Sequence, residues 1–341
     1  MKTYNNIFNE IISSENLFLA WDAFKKDKRN KSDVMAFEWN LEKNIFQLHR
    51  ELQNKTYKHG PYAGFYINDP KRRHIHKALV RDRILHHAIF SVINPIFEPT
   101  FINSSFSCRI GFGTHKGVDF LQKIIRKVSK NGKNPCFMLK CDIKKFFDSV
   151  DHAILLSIME KRIKDNGAMW LLRSVIESYE TNYAKGIPIG NLTSQFFANI
   201  YMNEFDYFIK HRLKIKNYAR YTDDFVIVGE NRKCLKDLLP TVNGFLKNNL
   251  LLNLHPNKII IRKFCQGIDF LGYVIFPKYR LMRSKTKRRI FKKLKKRVKD
   301  YKEGLITGNT LEQSLQSYLG VLSHANTHGI KEELLNRIWH I

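Results

Sequence analysis

The sequence predicts an α+β fold in which helices flank a small antiparallel sheet. Segments with apolar residues at helical spacing alternate with short apolar runs of strand character. Two of these runs carry acids at their tips: Asp142 ends one strand, and Asp223-Asp224 interrupts a β-rich hairpin 81 residues later. With 341 residues and 43% hydrophobic content, the chain is long enough for two or three subdomains.

The first part of the chain is predicted to be mainly helical, because its apolar side chains recur every three or four residues. A hairpin is predicted around the Asn-Asp-Pro turn signal at residues 68–70. The helix that follows it is expected to stop near Pro95 and Pro99. In order, we predict helices over 4–55, a hairpin over 57–76, and helices over 78–98 and 114–130.

The second part of the chain is predicted to alternate strands and helices. The apolar run at 136–143 has the composition of a buried strand with a carboxylate at its tip. The aromatic and β-branched arms around Asp223 favour a hairpin. After the first strand we predict a helix from Ala153, a helix over 196–213, the hairpin over 218–229, a helix over 234–251, strands over 258–262 and 268–276, a helix over 285–302 and a helical region from 311 to the end.

Charge predicts a polyanionic partner. The chain has 59 Lys and Arg against 31 Asp and Glu, a formal net charge of +28, which favours nucleic acid over an anionic membrane surface. Eleven of the residues over 285–302 are basic, and they share a helix with an apolar stripe. No apolar run is long enough to span a bilayer, and the N-terminus has no secretory leader, so we expect a soluble, intracellular protein.

The five cysteines predict neither a disulfide framework nor a zinc site. Their number is odd, the chain is not small, and no pair has the two-residue spacing of a zinc knuckle. Buried or unreactive thiols are the expected outcome. The cysteines are Cys108, Cys136, Cys141, Cys234 and Cys265.

The acid-tipped strands predict a divalent-metal site. Carboxylates converging from adjacent strands bind hard cations such as Mg²⁺ through oxygen. Two ions about 4 Å apart can activate a 3′-hydroxyl and stabilise leaving pyrophosphate, which is phosphoryl transfer. An isolated Asp-Asp dipeptide is more often a solvated turn. The flanks of Asp223-Asp224 and the second acid at Asp142 favour the metal site here.

Four motifs resemble those of reverse transcriptases and occur in that family's order. Tyr221-Thr222-Asp223-Asp224 is similar to the Tyr-x-Asp-Asp box. Residues 142–152, Asp-Ile-Lys-Lys-Phe-Phe-Asp-Ser-Val-Asp-His, are similar to the first palm motif of bacterial members, and residues 186–195, Gly-Ile-Pro-Ile-Gly-Asn-Leu-Thr-Ser-Gln, to the motif between them. Residues 269–273, Asp-Phe-Leu-Gly-Tyr, are similar to the Phe-Leu-Gly element. The resemblance extends from about residue 72 to residue 328.

The resemblance implies a right-hand polymerase that makes cDNA from an RNA template. Its expected parts are an N-terminal helical segment (1–60), fingers (61–135), a palm (136–284, with a fingers insertion at about 153–188) and a basic helical thumb (285–341). Two Mg²⁺ ions are the implied cofactor, with Mn²⁺ able to substitute. The implied partners are template RNA, a DNA or RNA primer and deoxynucleoside triphosphates, in bacterial cytoplasm and without a membrane.

The resemblance also implies roles for single residues. Asp142, Asp223 and Asp224 are the expected metal ligands, helped by the Ile143 carbonyl, and Lys258 is the expected proton donor to pyrophosphate, with a surface lysine as the alternative. Arg73 and Arg81, and more weakly Arg109, are expected to contact the triphosphate, and Phe147 is expected to act as a gate against a 2′-hydroxyl on the sugar. The residues expected to contact the nucleotide are Ile189, Gly190 and Gln195. The residues expected to contact primer–template phosphate are Lys287, Arg288, Lys292, Lys295 and Lys296.

For several of these residues a plain structural role is the alternative. Phe147 could simply pack in the core, as its neighbour Phe146 is expected to do. The fingers arginines Arg73 and Arg81 could be ordinary surface or RNA-contacting residues.

One departure points to a subtype. Many reverse transcriptases have Gln-Gly-x-x-x-Ser-Pro in the middle motif. Here Ile189 stands in place of the Gln and Gln195 in place of the Pro. This variant resembles the error-prone enzymes of diversity-generating retroelements, which misincorporate opposite template adenine and act with a small basic accessory protein oligomer. Residues 317–326 resemble the same group. A retron or group II intron-like enzyme, a catalytically silent RNA-binding relative and an RNA-dependent RNA polymerase are the alternatives.

Overall fold

The computed structural model describes residues 2–69 and 71–339, so Pro70, the proline of the predicted turn, and the last two residues of the predicted C-terminal region lie outside the described residues. The predicted helical segment at the N-terminus consists of four helices. Ser13 separates the first two, because its side-chain oxygen accepts the Asn16 amide hydrogen bond and caps the second helix. The helices are α1 (Phe8–Ile12), α2 (Ser14–Lys25), α3 (Ser32–Trp39) and α4 (Leu41–Gln53).

The predicted hairpin and the two helices after it are present. The strands β1 (Ala63–Ile67) and β2 (Arg73–Lys77) pair antiparallel, and α5 (Val80–Phe97) and α6 (Thr114–Val128) follow. The long helix α5 includes Pro95 in its last turn and ends before Pro99, so the two prolines bracket its end as predicted. One face of α5 is fully buried against α2 and supplies much of the main core.

The middle of the chain begins with the acid-tipped strand. It contains β3 (Phe137–Asp142), α7 (Phe146–Ser149), α8 (His152–Glu160), α9 (Asn166–Ile176), α10 (Leu192–Tyr207), β4 (Tyr218–Tyr221), β5 (Asp224–Gly229), α11 (Arg232–Leu250) and β6 (Ile260–Lys263). The four strands form one antiparallel sheet in the order β4-β5-β3-β6. The predicted helix over 196–213 begins four residues earlier, at Leu192. After Tyr207 it continues as a π-helical turn.

The region from residue 256 to residue 282 differs from the prediction in three respects. Lys258 lies in a short 3₁₀ turn before β6, and not in a strand. The predicted strand over 268–276 is a hairpin, because Leu271 and Gly272 both have positive φ angles and reverse the chain. Its strands are β7 (Ile268–Phe270) and β8 (Tyr273–Ile275). A third strand that was not predicted, β9 (Arg280–Met282), pairs with β8 to form a three-stranded sheet.

Three helices follow β9 in the described residues: α12 (Ser284–Lys302), α13 (Gly308–Leu322) and α14 (His328–Trp339). The predicted apolar stripe of the basic helix is present, since Ile290 and Leu294 are buried against α13 and α14. The stripe ends at Tyr301, whose side chain is exposed.

Three apolar cores lie around these elements. The largest joins the N-terminal helices, α5 and α8–α11 to one face of the four-stranded sheet, and the second joins the other face to α6 and the β7–β8 hairpin. The third holds α12–α14 together. All five cysteines are free thiols; Cys136 and Cys141 are buried, as predicted, whereas Cys108, Cys234 and Cys265 are exposed. Within residues 2–69 and 71–339, no helix has the length and apolar character needed to cross a bilayer.

Candidate active site

Strand register brings the three predicted acids to one edge of the sheet. Because β3 and β5 are antiparallel, Asp142 at the end of β3 stands directly opposite Asp224 at the start of β5. Thr222 and Asp223 form the two-residue turn between β4 and β5, so Asp223 lies at the same edge. Two sequence segments 81 residues apart are therefore joined into one acidic site, as their positions at strand tips predict.

Two lysines reach into this acidic site. The Lys258 Nζ lies 3.0 Å from Asp142 Oδ1, which places the predicted proton donor beside a predicted metal ligand. The Lys140 Nζ lies 3.0 Å from Asp224 Oδ2 and also donates a hydrogen bond to the Asp269 carbonyl oxygen at 2.7 Å. Lys140 was not predicted to be a site residue, although its position two residues before Asp142 places it on the same face of β3.

Burial and mutual repulsion disfavour the ionised forms of Asp223 and Asp224. Burial raises the pKa of Asp224 to about 6, and the charges of Asp223 and Asp142 add to this, while Lys140 opposes it. The pKa of Asp223 is raised as well, by burial first and by the charge of Asp142 second. In addition, the buried Asp224 Oδ1 has no hydrogen-bond partner among the described residues. The site therefore concentrates negative charge that the neighbouring lysines only partly neutralise.

These features fit a divalent cation. The predicted donors are all oxygen atoms, as Mg²⁺ prefers, and the unpartnered Asp224 Oδ1 is an available ligand atom. In the part of the chain that the structure describes, however, no group of three or more His, Cys, Asp or Glu side chains stands in a metal-holding arrangement. Lysines are paired with two of the acids instead. Metal binding by Asp142, Asp223, Asp224 and the carbonyl of buried Ile143 stays a prediction.

The segment predicted to contact the nucleotide packs on the β1–β2 hairpin. The His76 amide on β2 donates a hydrogen bond to the Ile189 carbonyl oxygen at 2.9 Å. Gly190 has a φ of +114°, and a Cβ there would lie 2.6 Å from Ile75 Cγ2, so only glycine fits this close approach. The Ile189 side chain is half-buried. The exposed Gln195 accepts a hydrogen bond from the Cys108 thiol at 3.2 Å through Oε1.

Phe147 lies one turn beyond the end of β3. Its ring is half-buried and meets the Phe146 ring edge-on, with centroids 5.4 Å apart. Phe146 is buried in the main core, as predicted. The carbonyl oxygen of Phe147 accepts a hydrogen bond from the Ile187 amide at 2.8 Å, which links it to the segment that carries Ile189. The two predicted nucleotide contacts therefore belong to one connected piece of backbone.

The three predicted arginines differ in their availability. Arg73 is exposed at the start of β2. Arg81 is engaged, since its guanidinium meets Glu51 Oε2 at 2.8 Å and donates to the Lys58 carbonyl oxygen at 2.7 Å. The Arg109 side chain is only 4% exposed and pairs with Glu98 at 2.8 Å. The guanidinium of Arg109 therefore supports its own loop, and the expected triphosphate contact does not fit its position.

The basic helix α12 presents its cations on more than one side. Lys287 pairs with Glu333 of α14 at 3.2 Å. On another side, Arg289 and Lys293 both pair with Asp69 at the tip of the β1–β2 hairpin. Four of the five predicted phosphate contacts are exposed: Arg288, Lys292, Lys295 and Lys296.

The sequence did not predict the buried ion pair behind the turn between β4 and β5. Arg220 of β4 and Asp206 of α10 are both 0% exposed and form an ion pair with Nη2 and Oδ2 2.6 Å apart. Arg220 also donates from Nη1 to the carbonyl oxygen of Thr222 at 2.9 Å. The signal available in the sequence was a single arginine in an otherwise apolar strand next to the acid pair.

Comparisons with known proteins agree with this architecture. The family model described as "Reverse transcriptase (RNA-dependent DNA polymerase)" matches residues 64–275. Protein YkfC of Escherichia coli is 24% identical over 271 residues, covering 68% of this chain and 71% of YkfC. The group II intron-encoded protein LtrA of Lactococcus lactis is 25% identical over 332 residues, covering 75% of this chain and 53% of LtrA.

Two further similarities were found. The putative COX1/OXI3 intron 2 protein of Saccharomyces cerevisiae is 23% identical over 329 residues, covering 75% of this chain and 37% of the yeast protein. Among solved structures, apo telomerase from Candida tropicalis is similar with a TM-score of 0.48 and 12% identity, covering 64% of this chain and 48% of the telomerase chain. This chain thus spans about half of LtrA and less of the yeast protein.

The family match covers more than half of the chain. It includes all but the first residue of the β1–β2 hairpin, the whole four-stranded sheet and all three acids. It confirms the predicted right-hand polymerase fold and, as the class of enzyme, an RNA-directed DNA polymerase. The strand register, the acidic edge and the family match lead to one conclusion: this chain belongs to the reverse transcriptase (RNA-dependent DNA polymerase) family.

Proposed function

We propose that this protein copies an RNA template into cDNA, with Asp142, Asp223 and Asp224 as the ligands of two metal ions. The observation that carries the proposal is the meeting of these acids at one sheet edge, where Asp142 faces Asp224 across β3 and β5. Burial, and after it the charges of the neighbouring acids, raise the pKa of both Asp223 and Asp224, and a bound divalent cation would offset this by stabilising the ionised carboxylates.

The chain's own residues would position the reactants. Bound Mg²⁺ would supply charge neutralisation at the 3′-oxygen and the triphosphate. Lys258, whose amine lies 3.0 Å from Asp142 Oδ1, would donate a proton to the leaving pyrophosphate. Phe147 would exclude a ribose 2′-hydroxyl, and the exposed Arg73 would hold the triphosphate by bidentate contacts.

The polymer substrate would be held by the basic helix. The exposed cations of α12 suit the phosphates of a template RNA and of a DNA or RNA primer. The boundaries of fingers, palm and thumb at residues 61, 136 and 285 belong to the same proposal, with the thumb including α12–α14. A cytoplasmic location in a bacterial or phage host accompanies this function.

Within the family, we propose the error-prone enzyme of a diversity-generating retroelement, acting in mutagenic retrohoming with a small basic accessory protein oligomer. The supporting residue is Ile189. Its carbonyl oxygen is fixed by the His76 amide, so the backbone beside the nucleotide is held, but an isoleucine side chain can give no hydrogen bond there. Loss of a polar contact weakens geometric discrimination between nucleotides.

A group II intron-like enzyme is the second candidate. The observation that favours it is the similarity to LtrA, whose name gives it as a group II intron-encoded protein. Ile189 and Gln195 favour the retroelement subtype over it, since they are the positions at which the middle motif departs from the common pattern.

Primer extension tests the polymerase proposal. The assay uses an RNA template, a DNA primer, deoxynucleotides and Mg²⁺, with and without a neighbouring accessory protein. Asp223→Ala should reduce extension by at least about 10³-fold, because it removes a ligand of the metals that neutralise the reacting phosphates. The matched control is Asp237→Ala, which removes an exposed acid of α11 and should leave extension unchanged. Undiminished extension by Asp223→Ala would refute the proposed site.

Sequencing the products tests the subtype. Wild-type products should carry errors concentrated opposite template adenine, and Ile189→Gln should reduce them by restoring a polar side chain next to the nucleotide. The control is Ile260→Gln, a change at an exposed isoleucine of β6, which should leave the error spectrum as it is. Accurate extension by the wild-type protein would keep the polymerase and exclude the retroelement subtype.

A further inference from the structure

The turn that carries Asp223 has an unfavourable backbone conformation. Thr222, the first of its two central residues, has a φ of +54°. Two-residue hairpin turns usually place glycine or asparagine at such a position, because a β-branched side chain clashes with the backbone when φ is positive. Thr222 therefore needs contacts that hold it there, since strained residues persist only where their surroundings fix them.

Two hydrogen bonds hold Thr222 from opposite sides. Arg220 donates from Nη1 to the Thr222 carbonyl oxygen at 2.9 Å, and the Thr222 hydroxyl donates to Ser107 Oγ at 2.6 Å. Ser107 is itself fixed, because its carbonyl oxygen accepts a hydrogen bond from Asn199 Nδ2 at 2.7 Å. The carbonyl group of Thr222 is part of the peptide that leads into Asp223, so the Arg220 bond acts directly on the orientation of that residue.

The Arg220 guanidinium is fixed by a buried acid. Its Nε donates to Asp206 Oδ1 at 2.8 Å and its Nη2 to Oδ2 at 2.6 Å, while the Tyr218 hydroxyl donates to Oδ1 at 2.7 Å. This fork leaves Nη1 directed at Thr222. Only arginine has enough donors in a fixed plane to do both; a lysine can keep the charge but not the geometry.

Simple stability does not explain this ion pair. Arg220 and Asp206 are both 0% exposed, and removing two charges from water costs free energy that well-packed apolar residues would avoid. Buried ion pairs are instead useful where a unique geometry must be specified. The geometry specified here is that of the turn between β4 and β5.

We propose that Arg220 and Asp206 form a positioning clamp that holds Thr222 at positive φ and thereby sets the direction of the Asp223 carboxylate. The clamp touches neither substrate nor metal, and acts through the backbone of the turn. This inference rests on the proposed function, in which Asp223 is a metal ligand.

The first test is Arg220→Lys, which retains the charge opposite Asp206 and removes the planar fork. We expect kcat to fall by about 10²-fold, as a misplacement of about 1 Å does, with an unchanged KM for deoxynucleotide and unchanged primer–template affinity. The rise in melting temperature that Mg²⁺ produces in the wild-type protein should also be smaller, because Asp223 no longer points to the ion. If kcat, the KM for deoxynucleotide, primer–template affinity and thermal stability all worsened to a similar extent, Arg220 would have only a structural role and the proposal would be refuted.

The second test changes the strain itself. In Thr222→Gly the backbone adopts positive φ without a clash, so the turn depends less on the clamp. Arg220→Lys should then cost about tenfold or less in kcat in the Thr222→Gly background, compared with about 10²-fold in the wild-type background, since residues that act through one another are non-additive. Equal costs in the two backgrounds would overturn the proposal.

A matched pair of variants separates positioning from stability. Tyr218→Phe removes the hydroxyl that supports Asp206, and Tyr57→Phe removes a hydroxyl that donates to another buried acid, Asp82, at 2.8 Å. Both tyrosines are buried, so the two variants should lower the melting temperature by similar amounts. Only Tyr218→Phe should lower kcat. Equal kcat values would refute the clamp, whereas activity that survives Asp223→Ala would refute the proposed function instead.

Discussion

Asp224→Asn should make the metal-free protein more stable at pH 8. The pKa of Asp224 is raised from 3.8 to about 6, a difference of 6 − 3.8 = 2.2 units, so ionising it in the folded state costs about 3 kcal/mol at 1.36 kcal/mol per unit. The side chain is only 20% exposed, so solvent screening is limited. Asparagine keeps the shape of aspartate and has no charge, and therefore avoids this cost.

The sign of the pH dependence follows from the raised pKa. The folded protein binds the Asp224 proton more tightly than the unfolded chain does, so stability falls as pH rises from about 4 to about 6 and the full cost is present above pH 6. At pH 4 the folded state is almost fully protonated and the unfolded chain is protonated to roughly 40%, so the cost falls to roughly 0.5 kcal/mol. The gain from Asp224→Asn should therefore be largest at pH 8 and nearly absent at pH 4.

The assay is thermal unfolding in EDTA at both pH values. At about 2.1 cal/mol/K per residue, a chain of 341 residues unfolds with an entropy near 0.7 kcal/mol/K, so about 3 kcal/mol corresponds to a melting-temperature rise of about 4 °C. The control is Asp237→Asn, an exposed acid that should shift neither value. Added Mg²⁺ should raise the melting temperature of the wild-type protein more than that of the variant. A variant less stable than wild type at pH 8, or a gap independent of pH, would refute the reasoning.

The remaining predictions concern substrate contacts. Phe147→Ala should admit ribonucleotides and reduce discrimination against them by about 10²-fold, measured as the ratio of kcat/KM values for deoxynucleotide and ribonucleotide. Unchanged discrimination would show that Phe147 only packs. Replacing Lys292, Lys295 and Lys296 by Gln should make primer–template binding less sensitive to salt. The slope of the logarithm of the association constant against the logarithm of salt concentration should fall in magnitude by about 2 to 3, because each phosphate contact contributes about 0.7 to 0.9. An unchanged slope would place the polymer elsewhere.

Local patterns in the sequence were enough to predict the acidic site. Asp142 closes a run of strand-forming residues, and Asp223-Asp224 stands between two such runs with only two residues for the turn, so antiparallel pairing brings them together. The apolar stripe of α12 was likewise predicted, because helical spacing is a local property.

Features that depend on tertiary contacts were not predicted. Asp206 and Arg220 lie on different elements, and no local pattern tells that both are buried or that the arginine reaches the Thr222 carbonyl group. Arginine is a residue type that often contacts phosphate, yet the Arg109 side chain is buried and pairs with Glu98. The strand β9 has only three residues, too few for a periodicity to be recognised.

The apolar core and the acidic site depend on the same strand register. Leu139 and Cys141 of β3 face the main core, whereas Lys140 and Asp142 lie on the opposite face, opposite Val226 and Asp224 of β5. A slip of one residue would turn Lys140 and Asp142 into the main core and expose apolar side chains, so packing enforces this register.

Packing thereby imposes a cost at the site. Two carboxylates standing directly opposite each other repel and destabilise the sheet. Lys140 and Lys258 offset only part of the combined cost of burial and repulsion, since the pKa of Asp224 stays raised. Apolar contacts of β3 and β5 thus keep Asp142 and Asp224 together when they would otherwise separate. In the proposed function a cation would bind acids that are already assembled, and the energy that assembles them comes from the core rather than from the metal.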